Sequence, residues 1–551
     1  MKRVRNPPVV PTSMIVAAQP EAAEAGARVL QRGGNAVDAA VAAAFTQCVV
    51  DPLMSGIAGY GTMQVSEPNG GAHTCIDFCA RAPLAITPDI WADKRISETS
   101  DGYAFVVEGN LNDAGYLSIG TPGTLAGLEH ALRRFGTLDL ADVLADAIGY
   151  ARNGFRMRPH MYHYCAIEQA KGGMMQTPQR LKLSSTGRRV YFREDGSSKR
   201  LGDVIVNPDY ADTLERIARA GIDTFYRGEI AEQIDADMRK HGGLLSRRDL
   251  ATYAVREVAP IWSTYRGFDI AGFPPPAAGL TLIQSLNILE CFDLRGMGHN
   301  TPAYLTTLAE TLKRVTIDKD TLIGDPEFVD VPVEMLASKA HARKHADAIR
   351  AGERANVARI DAGAEPKDTT QVCVIDRNGM AVTLTHTLGT NSGVITDGLG
   401  FLYNGLISGF DPRPGRPGSI SPGKSRTSAQ CPTILFRNGA PVVAIGAPGG
   451  TAINPALTQS IVNVVDFDMP IVEAVSAPRV SVTSNVIEVS NRIPRYVTDV
   501  LESDGYPVTR SPMGFAFAAP HAITRLAGRL AGAADPQRDG VALAVAHEPK
   551  A

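Results

Sequence analysis

The sequence contains little cysteine and no excess of charge, and both shortages exclude classes of protein. Its seven cysteines are odd in number and scattered, and no two Cys-x-x-Cys pairs stand at zinc-ligand spacing. Cys75 and Cys79 are spaced like half of a metal clip, but without a second pair they are better interpreted as buried or free thiols. The 55 basic and 58 acidic residues give a net charge of -3, which offers no bulk attraction to nucleic acid. We therefore expect small-molecule partners and no metal.

Long apolar runs are also missing. The most apolar stretch, Ala39 to Val50, is too short to cross a bilayer and is bracketed by Asp38 and Asp51. The basic N-terminus is followed by Asn-Pro-Pro-Val-Val-Pro, which interrupts the apolar segment that an export signal requires. We therefore expect a cytoplasmic protein that does not bind a membrane. With 44% hydrophobic residues among 551, the chain can bury a large core as one compact unit.

What the sequence does contain is a series of helix and strand signals. Pro20 begins a helical segment with early acids, late bases and a glycine stop. Asn35 or Asp38 can open the next helix, which is rich in alanine, runs to about Cys48 and should pack closely against its neighbours. After Thr369 the pattern changes to short β segments.

Two of these β segments are joined at Asn378-Gly379, which predicts a hairpin with a two-residue type I′ turn. In that register Thr370 lies opposite Thr387, and Thr369 lies opposite Leu388. Direct facing of Thr369 and Thr387 would then require a bulge or fraying at the strand start. For an isolated Thr-Thr pair, the high β propensity of threonine would be a sufficient explanation.

A set of short motifs follows a fixed order between about Val16 and Thr524. The motifs are Gly33-Gly34-Asn35-Ala36-Val37-Asp38-Ala39-Ala40, Ser55-Gly56-Ile57, Gly120-Thr121-Pro122-Gly123-Thr124, Phe225-Tyr226-Arg227-Gly228, Tyr265-Arg266-Gly267, Pro274-Pro275-Pro276, Asp368-Thr369-Thr370, Cys431-Pro432-Thr433 and Pro448-Gly449-Gly450. Each motif alone is weak evidence. Together and in this order, they make the chain resemble the γ-glutamyltransferase family of N-terminal-nucleophile hydrolases.

The resemblance implies a four-layer α/β/β/α sandwich that is made as a precursor and cuts itself between Asp368 and Thr369. The products would be a large subunit of residues 1–368 and a small subunit of residues 369–551, which form one unit and can pair into a dimer of heterodimers. The new amine of Thr369 has a pKa nearer neutrality than that of a lysine, so it can act as base for its own hydroxyl. One residue then supplies nucleophile and base, and no cofactor is required.

Three further residues complete the implied catalytic machinery. By similarity, Thr387 orients the Thr369 hydroxyl, and the backbone amides of Gly449 and Gly450 form an oxyanion hole. Fixed backbone donors stabilise the oxygen charge as it develops, and glycine allows a substrate to come close. An ordinary turn after the apolar run that ends at Ile445 is the alternative interpretation of the glycine pair.

Recognition of a γ-glutamyl group depends in this family on residues that the sequence mostly lacks. Cys79 replaces the carboxylate-binding arginine, and Arg81, two positions later, is either a displaced substitute or a packing residue. At the other substrate-binding positions, Gly389 replaces an asparagine, Leu406 a polar residue and Gly409 the acid that holds the amine, while Ser428 persists from a serine pair. A buried ammonium group without an acidic partner is poorly compensated, so glutathione should be a poor substrate.

The sequence thus predicts a self-processing amidohydrolase or acylase that cleaves a non-γ-glutamyl amide through an acyl-enzyme on Thr369, with acyl transfer as an accompanying activity. It resembles the cephalosporin acylase and oxamate amidohydrolase branches of the family. An orthodox γ-glutamyltransferase or glutathione hydrolase is the first alternative. An unprocessed, non-catalytic binding homologue is the second.

Overall fold

Two stacked β-sheets lie between two layers of helices in the computed structural model, which describes residues 12–99, 101–166, 173–358, 369–511 and 517–546. This arrangement confirms the predicted four-layer α/β/β/α sandwich. Each sheet combines strands from before residue 359 with strands from after residue 368, so the two parts of the chain are intertwined in one unit.

The two sheets contain seven and six strands, and neighbouring strands within them are antiparallel. Numbered along the chain, they are β1 (Ser13–Ala17), β2 (Tyr60–Ser66), β3 (His73–Phe78), β4 (Arg256–Val258), β5 (Ile261–Tyr265), β6 (Phe268–Gly272), β7 (Thr370–Ile375), β8 (Ala381–Thr387), β9 (Thr433–Arg437), β10 (Ala440–Gly446), β11 (His521–Leu526), β12 (Arg529–Ala534) and β13 (Val541–Val545). The first sheet has the spatial order β13-β1-β7-β8-β2-β3-β4, and the second has the order β12-β11-β10-β9-β6-β5. Short strands outside the sheets are Arg95–Glu98, Phe105–Val107, Phe155–Arg156, Val204–Ile205, Thr390–Asn391, Asn404–Gly405, Val480–Ser481, Ile487–Val489 and Val508–Arg510.

The helices form the outer layers and several of the connections. They are α1 (Pro20–Gln31), α2 (Ala36–Val50), α3 (Thr124–Phe135), α4 (Leu140–Asn153), α5 (Pro159–Ala166), α6 (Thr177–Leu181), α7 (Ser185–Tyr191), α8 (Pro208–Ala220), α9 (Asp223–Tyr226), α10 (Glu229–His241), α11 (Arg247–Thr252), α12 (Gly279–Leu289), α13 (Leu294–Met297), α14 (Pro302–Leu322), α15 (Val333–Ala337), α16 (Lys339–Arg350), α17 (Ile453–Val465), α18 (Ile471–Ser476) and α19 (Arg495–Ser503). Helices α1 and α2 pack on the first sheet, while α12 and α17 pack on the second. In the described part of the chain, no helix is both long enough and apolar enough to cross a membrane.

Strand β7 shows how both faces of a central strand are buried. Val372 and Val374 face the core under α1 and α2, whereas Cys373 and Ile375 face the second sheet. Alternation of this kind follows from the two-residue period of a strand. Because both faces are apolar, the strand reads as a continuous hydrophobic run rather than as an alternating one.

The predicted start of α2 is confirmed, and both candidate residues take part. The Asn35 side chain accepts from Asp38 N at 3.0 Å, and the Asp38 carboxylate accepts from Asn35 N at 2.8 Å, which is a reciprocal capping box. The helix is buried throughout, and a Cβ at Gly26 of α1 would lie 2.8 Å from Ala39 O. The small side chains therefore let α1 and α2 approach closely, as the alanine content predicted.

Candidate active site

The hairpin that follows Thr369 has a longer turn than predicted. Ile375 pairs with Ala381, and Asp376 N donates to Met380 O at 3.0 Å, so three residues rather than two form the connection. Gly379 takes the positive φ of 94° that closes such a loop. The Asp376 side chain selects this turn, because one carboxylate oxygen accepts from Asn378 N at 2.8 Å and from Met380 N at 3.1 Å.

The extra turn residue shifts the strand register by one position and corrects the sequence prediction. Thr370 pairs with His386, not with Thr387. Continued by one residue, this register sets Thr369 directly opposite Thr387 at the open end of the hairpin, without a bulge. Asp368, on the other side of the predicted cleavage bond, lies outside the described residues.

Thr369 and Thr387 are both buried at this strand start. The Thr369 carbonyl accepts from Arg538 Nη1 at 3.1 Å, which fixes the backbone of the candidate nucleophile. The Thr387 hydroxyl oxygen accepts from Gly389 N at 2.8 Å. An oxygen that accepts in this way keeps its own proton for another acceptor, so the Thr387 hydroxyl can donate toward the side of Thr369.

A buried polar network lies under this end of the hairpin. Thr370 Oγ1 donates to Gln19 Oε1 at 3.3 Å, and Gln47 Nε2 donates to the same oxygen at 2.7 Å. Gln47 Oε1 lies 2.8 Å from His386 Nε2, and the Gln19 amide donates to the Asp51 carboxylate. Burial raises the pKa of Asp51 to about 6 and lowers the pKa of His386 to about 3. The network ties α2 to the first residues of the hairpin.

Gly449 and Gly450 lie at the turn between β10 and α17. Gly449 has a φ of 140°, and a Cβ there would lie 2.4 Å from Ala518 Cα, so the position requires glycine. Within the described residues, neither glycine amide donates a hydrogen bond to a protein acceptor. Two unpaired N–H groups in front of a helix are suited to an oxygen that gains negative charge.

The end of β10 also comes close to the start of β7. A Cβ at Gly446 would lie 2.3 Å from the side-chain nitrogen Nε2 of Gln371, a residue two positions after Thr369. Strand β10 therefore brings the turn with Gly449 to the same end of the stacked sheets as the hairpin opening.

A cavity of about 420 Å³ reaches the glycine turn at Thr451, the residue after Gly450, and two of the predicted substrate-binding residues, Gly409 and Ser428, line it. Tyr103 and Arg426 are also part of its wall. Thr369, Thr387, Gly449 and Gly450 are not among its described lining residues. A Cβ at Gly409 would lie 2.1 Å from Arg426 Nη1. The guanidinium of Arg426 thus fills the space beside the position where the family pattern has an acid.

Gly389 and Leu406 lie behind the cavity wall. A Cβ at Gly389 would come within 2.8 Å of the Tyr60 hydroxyl and 3.7 Å of the Tyr103 hydroxyl, so the two rings close the space that a side chain would fill. Leu406 is fully buried in an apolar cluster with Tyr60 and packs against Gly120. In the described structure it supports the wall and does not line the cavity.

Cys79 and Arg81 have different surroundings, although the sequence pairs them. Cys79 is buried, and burial together with the nearby Asp77 carboxylate raises the pKa of its thiol well above the ordinary value. A neutral thiol cannot replace the charge of an arginine. Arg81 reaches Glu327 at 3.4 Å, at the surface, and is not among the described residues that line the cavity. The contact with Glu327 fits the packing and pairing role, and the role as a displaced carboxylate contact stays a prediction.

One group among the described residues has the geometry of a metal site. Ligand atoms of Asp318, His341 and His345 lie within 4.8 Å of one another, on α14 and α16. None of the predicted active-site residues belongs to this group.

Known proteins resemble this chain in sequence over most of its length. A sequence profile described as Gamma-glutamyltranspeptidase matches residues 22–545. The chain belongs to the γ-glutamyltranspeptidase family. Acylase ACY 1 proenzyme from Pseudomonas sp. (strain SE83) is 35% identical over 97% of this chain and 93% of its own length. Glutathione hydrolase proenzyme from Escherichia coli (strain K12) is 33% identical over 85% of this chain and 80% of its own length.

A solved structure extends the γ-glutamyltranspeptidase relationship to the fold. Cephalosporin acylase from Bacillus halodurans superposes with a TM-score of 0.84 and 26% identity, covering 98% of this chain and 97% of that chain. Acylases and glutathione hydrolases are thus both relatives. Membership in this family indicates an amidohydrolase or transpeptidase with the N-terminal-nucleophile fold, and it leaves the substrate open.

Sequence reasoning missed Arg426, Tyr103 and Arg538. Arg426 stands two residues before the retained Ser428 in the sequence, which is the one signal that could have singled it out. Its burial beside Gly409 depends on contacts between distant segments. Arg538 is likewise 169 residues from the Thr369 carbonyl that it binds.

Proposed function

We propose that the protein cuts its own chain before Thr369 and then hydrolyses a non-γ-glutamyl amide through an acyl-enzyme on that threonine. The observation that carries the proposal is the hairpin register, which sets Thr369 opposite Thr387 at the end of the sheets where the amides of Gly449 and Gly450 have no acceptor among the described residues. A nucleophile, a positioning hydroxyl and donors for an oxyanion are the parts that acyl transfer needs.

Self-cleavage uses the Thr369 hydroxyl on the preceding carbonyl carbon. The Oγ–C bond forms as the C–N bond breaks, the nitrogen of Thr369 takes a proton, and the peptide becomes an ester. Water then hydrolyses the ester, which leaves a carboxylate on residue 368 and a free amine on Thr369. The two parts, residues 1–368 and 369–551, stay together because their strands are intertwined in both sheets.

Amide turnover repeats the same chemistry on an external substrate. The Thr369 amine takes the hydroxyl proton while Oγ attacks the carbonyl carbon, and the amides of Gly449 and Gly450 stabilise the oxyanion. Collapse of the tetrahedral intermediate transfers the proton to the leaving amine and forms the acyl ester. Attack by water releases the acid, and attack by an acceptor amine would give transfer instead.

The residues around the pocket favour a substrate whose acyl group is not γ-glutamyl. The acid position is Gly409, the arginine position is Cys79, and a cation, Arg426, stands beside the former. This arrangement opposes an ammonium group. Relatives named acylase, at 35% identity, support the proposal, while the relative named glutathione hydrolase, at 33%, keeps γ-glutamyl hydrolysis as the alternative.

Denaturing electrophoresis with N-terminal sequencing tests the cleavage. The wild-type chain should give two fragments, and the smaller should begin at Thr369. Thr369→Ala should stay intact and inactive, whereas Thr369→Ser, which keeps the hydroxyl, should still be cut. A wild-type chain that stays whole after long incubation would instead support a non-catalytic binding protein.

A panel of anilides on the purified, cleaved protein tests the substrate class. We expect turnover of acyl anilides without an ammonium group and poor release from γ-glutamyl anilide, with little acceleration by dipeptide acceptors. Preferred turnover of γ-glutamyl anilide, stimulated by such acceptors, would assign the protein to orthodox γ-glutamyltransferases.

A further inference from the structure

Two histidines of one helix converge on a carboxylate of a neighbouring helix. His341 and His345 are four residues apart on α16, so they lie on the same face, and Asp318 lies near the C-terminal end of α14. Asp318 Oδ2 is 2.8 Å from His341 Nε2 and 3.2 Å from His345 Nε2, and the two Nε2 atoms are 3.0 Å apart. Cysteine spacing, from which we expected no metal, gives no information on this group.

Protons alone cannot satisfy all three of these contacts. An ionised carboxylate oxygen carries no proton, and each Nε2 either donates through one proton or accepts through one lone pair. If both imidazoles donate to Asp318, their two N–H groups lie side by side at 3.0 Å. If only one donates, the other nitrogen sets its lone pair against the carboxylate. A cation that accepts a lone pair from each of the three atoms removes this conflict.

The spacing of the three atoms fits a small cation that prefers nitrogen ligands. Zinc binds imidazole nitrogen and carboxylate oxygen at about 2.0 to 2.2 Å, so the ligand atoms of a tetrahedral site are about 3.3 Å apart. The distances here are 2.8, 3.0 and 3.2 Å, and a small outward shift would admit the ion. Two histidines four residues apart on one helix face are a recurrent zinc-binding arrangement. Magnesium and calcium prefer oxygen ligands and fit this group poorly.

The three side chains are held in place by the structure around them. Gln284, on α12, is fully buried and donates through Nε2 to the Asp318 carboxylate. Outer hydrogen bonds of this kind orient the ligands of metal sites. Ser338 caps α16 and accepts from His341 N at 3.1 Å, and the helices α12, α14 and α16 pack on one another. The ligand positions are therefore set by packed helices and not by a loop.

The group lies near the surface, where an ion can reach it. The side chains of Asp318, His341 and His345 are 14%, 16% and 20% exposed. A water molecule can therefore occupy the fourth position of a tetrahedral site. Hydrolytic zinc sites of the His-Glu-x-x-His type have a glutamate after the first histidine as base, whereas this chain has Ala342 there. The arrangement favours an ion that stabilises the fold.

From these observations we propose that Asp318, His341 and His345 bind one divalent, zinc-class cation that fastens α16 to α14. All three ligands precede residue 369 and none is among the described residues that line the cavity, so the site does not depend on the proposed reaction. Helix α14 does contribute to the cavity wall, through Leu312, Val315, Thr316 and Lys319. The bound cation holds that helix, and with it this part of the wall, in place.

Zinc titration of the purified, untagged protein tests the site. After metals are removed with a chelator, we expect the wild-type chain to bind about one equivalent of Zn²⁺ and to melt at a higher temperature with the ion, because binding to the folded state stabilises it. Metal analysis after gel filtration gives the stoichiometry, and calorimetry gives the Kd. Mg²⁺ at the same concentration should change neither. A wild-type chain that binds no Zn²⁺, or that Mg²⁺ stabilises equally, would overturn the proposal.

Variants at the ligands assign the binding to this group. His345→Ala should weaken Zn²⁺ binding by more than about 100-fold, and Gln284→Met, which keeps the ligands, by about 10- to 100-fold. His130→Ala is the matched control, because His130 also contacts a carboxylate, that of Glu257 at 2.7 Å, but belongs to no converging group of three among the described residues. It should bind Zn²⁺ as the wild type does.

Equal Zn²⁺ binding by the wild type and His345→Ala, or an equal loss in His130→Ala, would refute the assignment. Melting without the ion shows whether each variant is folded, and His345→Phe, which keeps a ring without nitrogen, replaces the alanine variant if that one is not. Thr369→Ala should bind Zn²⁺ like the wild type. If the protein is cut and active but binds no Zn²⁺, the proposed reaction stands and the metal site is wrong; if it binds Zn²⁺ through His345 but is inactive, the reverse holds.

Discussion

The hairpin opening around Thr369 and the cavity wall around Arg426, which we propose form one site, depart from the family pattern to different degrees. At the hairpin opening, Thr369, Thr387, Gly449 and Gly450 all match that pattern, and the geometry brings their strand ends together. At the cavity wall the family's acid is replaced by Gly409, and away from the lining its asparagine and arginine are replaced by Gly389 and Cys79. The chemistry of acyl transfer restricts the first region, whereas the second needs only to complement whichever acyl group is bound. The reaction can therefore be kept while the substrate changes.

The largest effect should come from changing the glycine turn at the hairpin end. In Gly449→Ala, the new Cβ would lie 2.4 Å from Ala518 Cα at a φ of 140°, so the turn and its two amides must move. We expect kcat/KM for any substrate to fall by about 100- to 1000-fold, the loss typical of a missing oxyanion donor. Steady-state kinetics on the cleaved protein measures this fall.

Gly439→Ala provides the control for backbone strain. Gly439 also has a positive φ, of 74°, but nothing lies within 4 Å of a Cβ there. This variant should lose some stability and keep its turnover. Similar losses of turnover in both variants would show that strain in the fold, rather than the oxyanion donors, explains the result.

A smaller effect is expected from Thr387→Val, which keeps the shape of the side chain and removes its hydroxyl. The variant loses the acceptor for Gly389 N, now 2.8 Å away, and the hydroxyl that we propose donates to Thr369. We expect kcat to fall about 10- to 100-fold because a positioned hydrogen bond to the nucleophile is lost. Thr387→Ser should retain most of the rate, and kcat and KM measured separately would reveal a binding defect.

Thr383→Val, on the same face of β8, tests whether any buried threonine gives this result. The Thr383 hydroxyl donates to Ile445 O at 3.2 Å, between the two sheets and away from the hairpin opening. Its loss should lower the melting temperature with little change in kcat. Equal losses of kcat in the two valine variants would contradict a specific role for Thr387.

At the cavity wall, Gly409→Asp restores the family's acid beside Arg426. A Cβ there would be 2.1 Å from Nη1, so the arginine must shift, and the new carboxylate can pair with it. We expect kcat/KM for γ-glutamyl anilide, relative to that for an acyl anilide without an ammonium group, to rise about tenfold, since the new carboxylate offsets the positive charge of Arg426 that opposes the ammonium. Gly409→Ala introduces the same steric change without the charge, so an equal rise in both variants would attribute the effect to displacement alone.

The two regions also differ in how far the sequence could predict them. The ordered motifs and local signals, such as the capping pair Asn35 and Asp38, predicted the layers and the helix starts correctly. The hairpin register was predicted wrongly because Asn378-Gly379 suits turns of two or three residues, and the Asp376 side chain decides between them. The local sequence does not show that this one carboxylate decides the length of the turn.

The cavity wall was harder to predict because its main feature arises from distant segments. Nothing near Arg426 in the sequence shows that its guanidinium lies over Gly409 or that Tyr103, 323 residues away, stacks on it. The absence of the family's acid was visible in the sequence, but its replacement by a cation was not. Family comparison can therefore identify a lost contact more easily than a gained one.

The smallest effect on turnover is expected from His386→Gln, which probes the buried support of the hairpin opening. His386 is fully buried, its Nε2 lies 2.8 Å from Gln47 Oε1, and burial lowers its pKa to about 3. The unfolded chain takes up a proton below pH 6.5, the ordinary value, while the folded protein does not. Stability contributed by neutral His386 is therefore complete above pH 6.5 and is lost as the pH falls toward 3, by about 1.4 kcal/mol per pH unit at most.

Glutamine keeps a donor for Gln47 and cannot be protonated, so His386→Gln should reduce the loss of stability between pH 6.5 and pH 4. Urea unfolding at several pH values measures the slope, and His241→Gln, at an exposed position, should leave it as in the wild type. The half-buried His73 and the buried His521, each with a pKa lowered to about 4 by burial, keep part of the acid sensitivity in every variant, as does the buried His160, whose pKa burial lowers well below the ordinary value. A slope unchanged by His386→Gln would mean that these three histidines, rather than the support under Thr370, govern the acid limit of the fold.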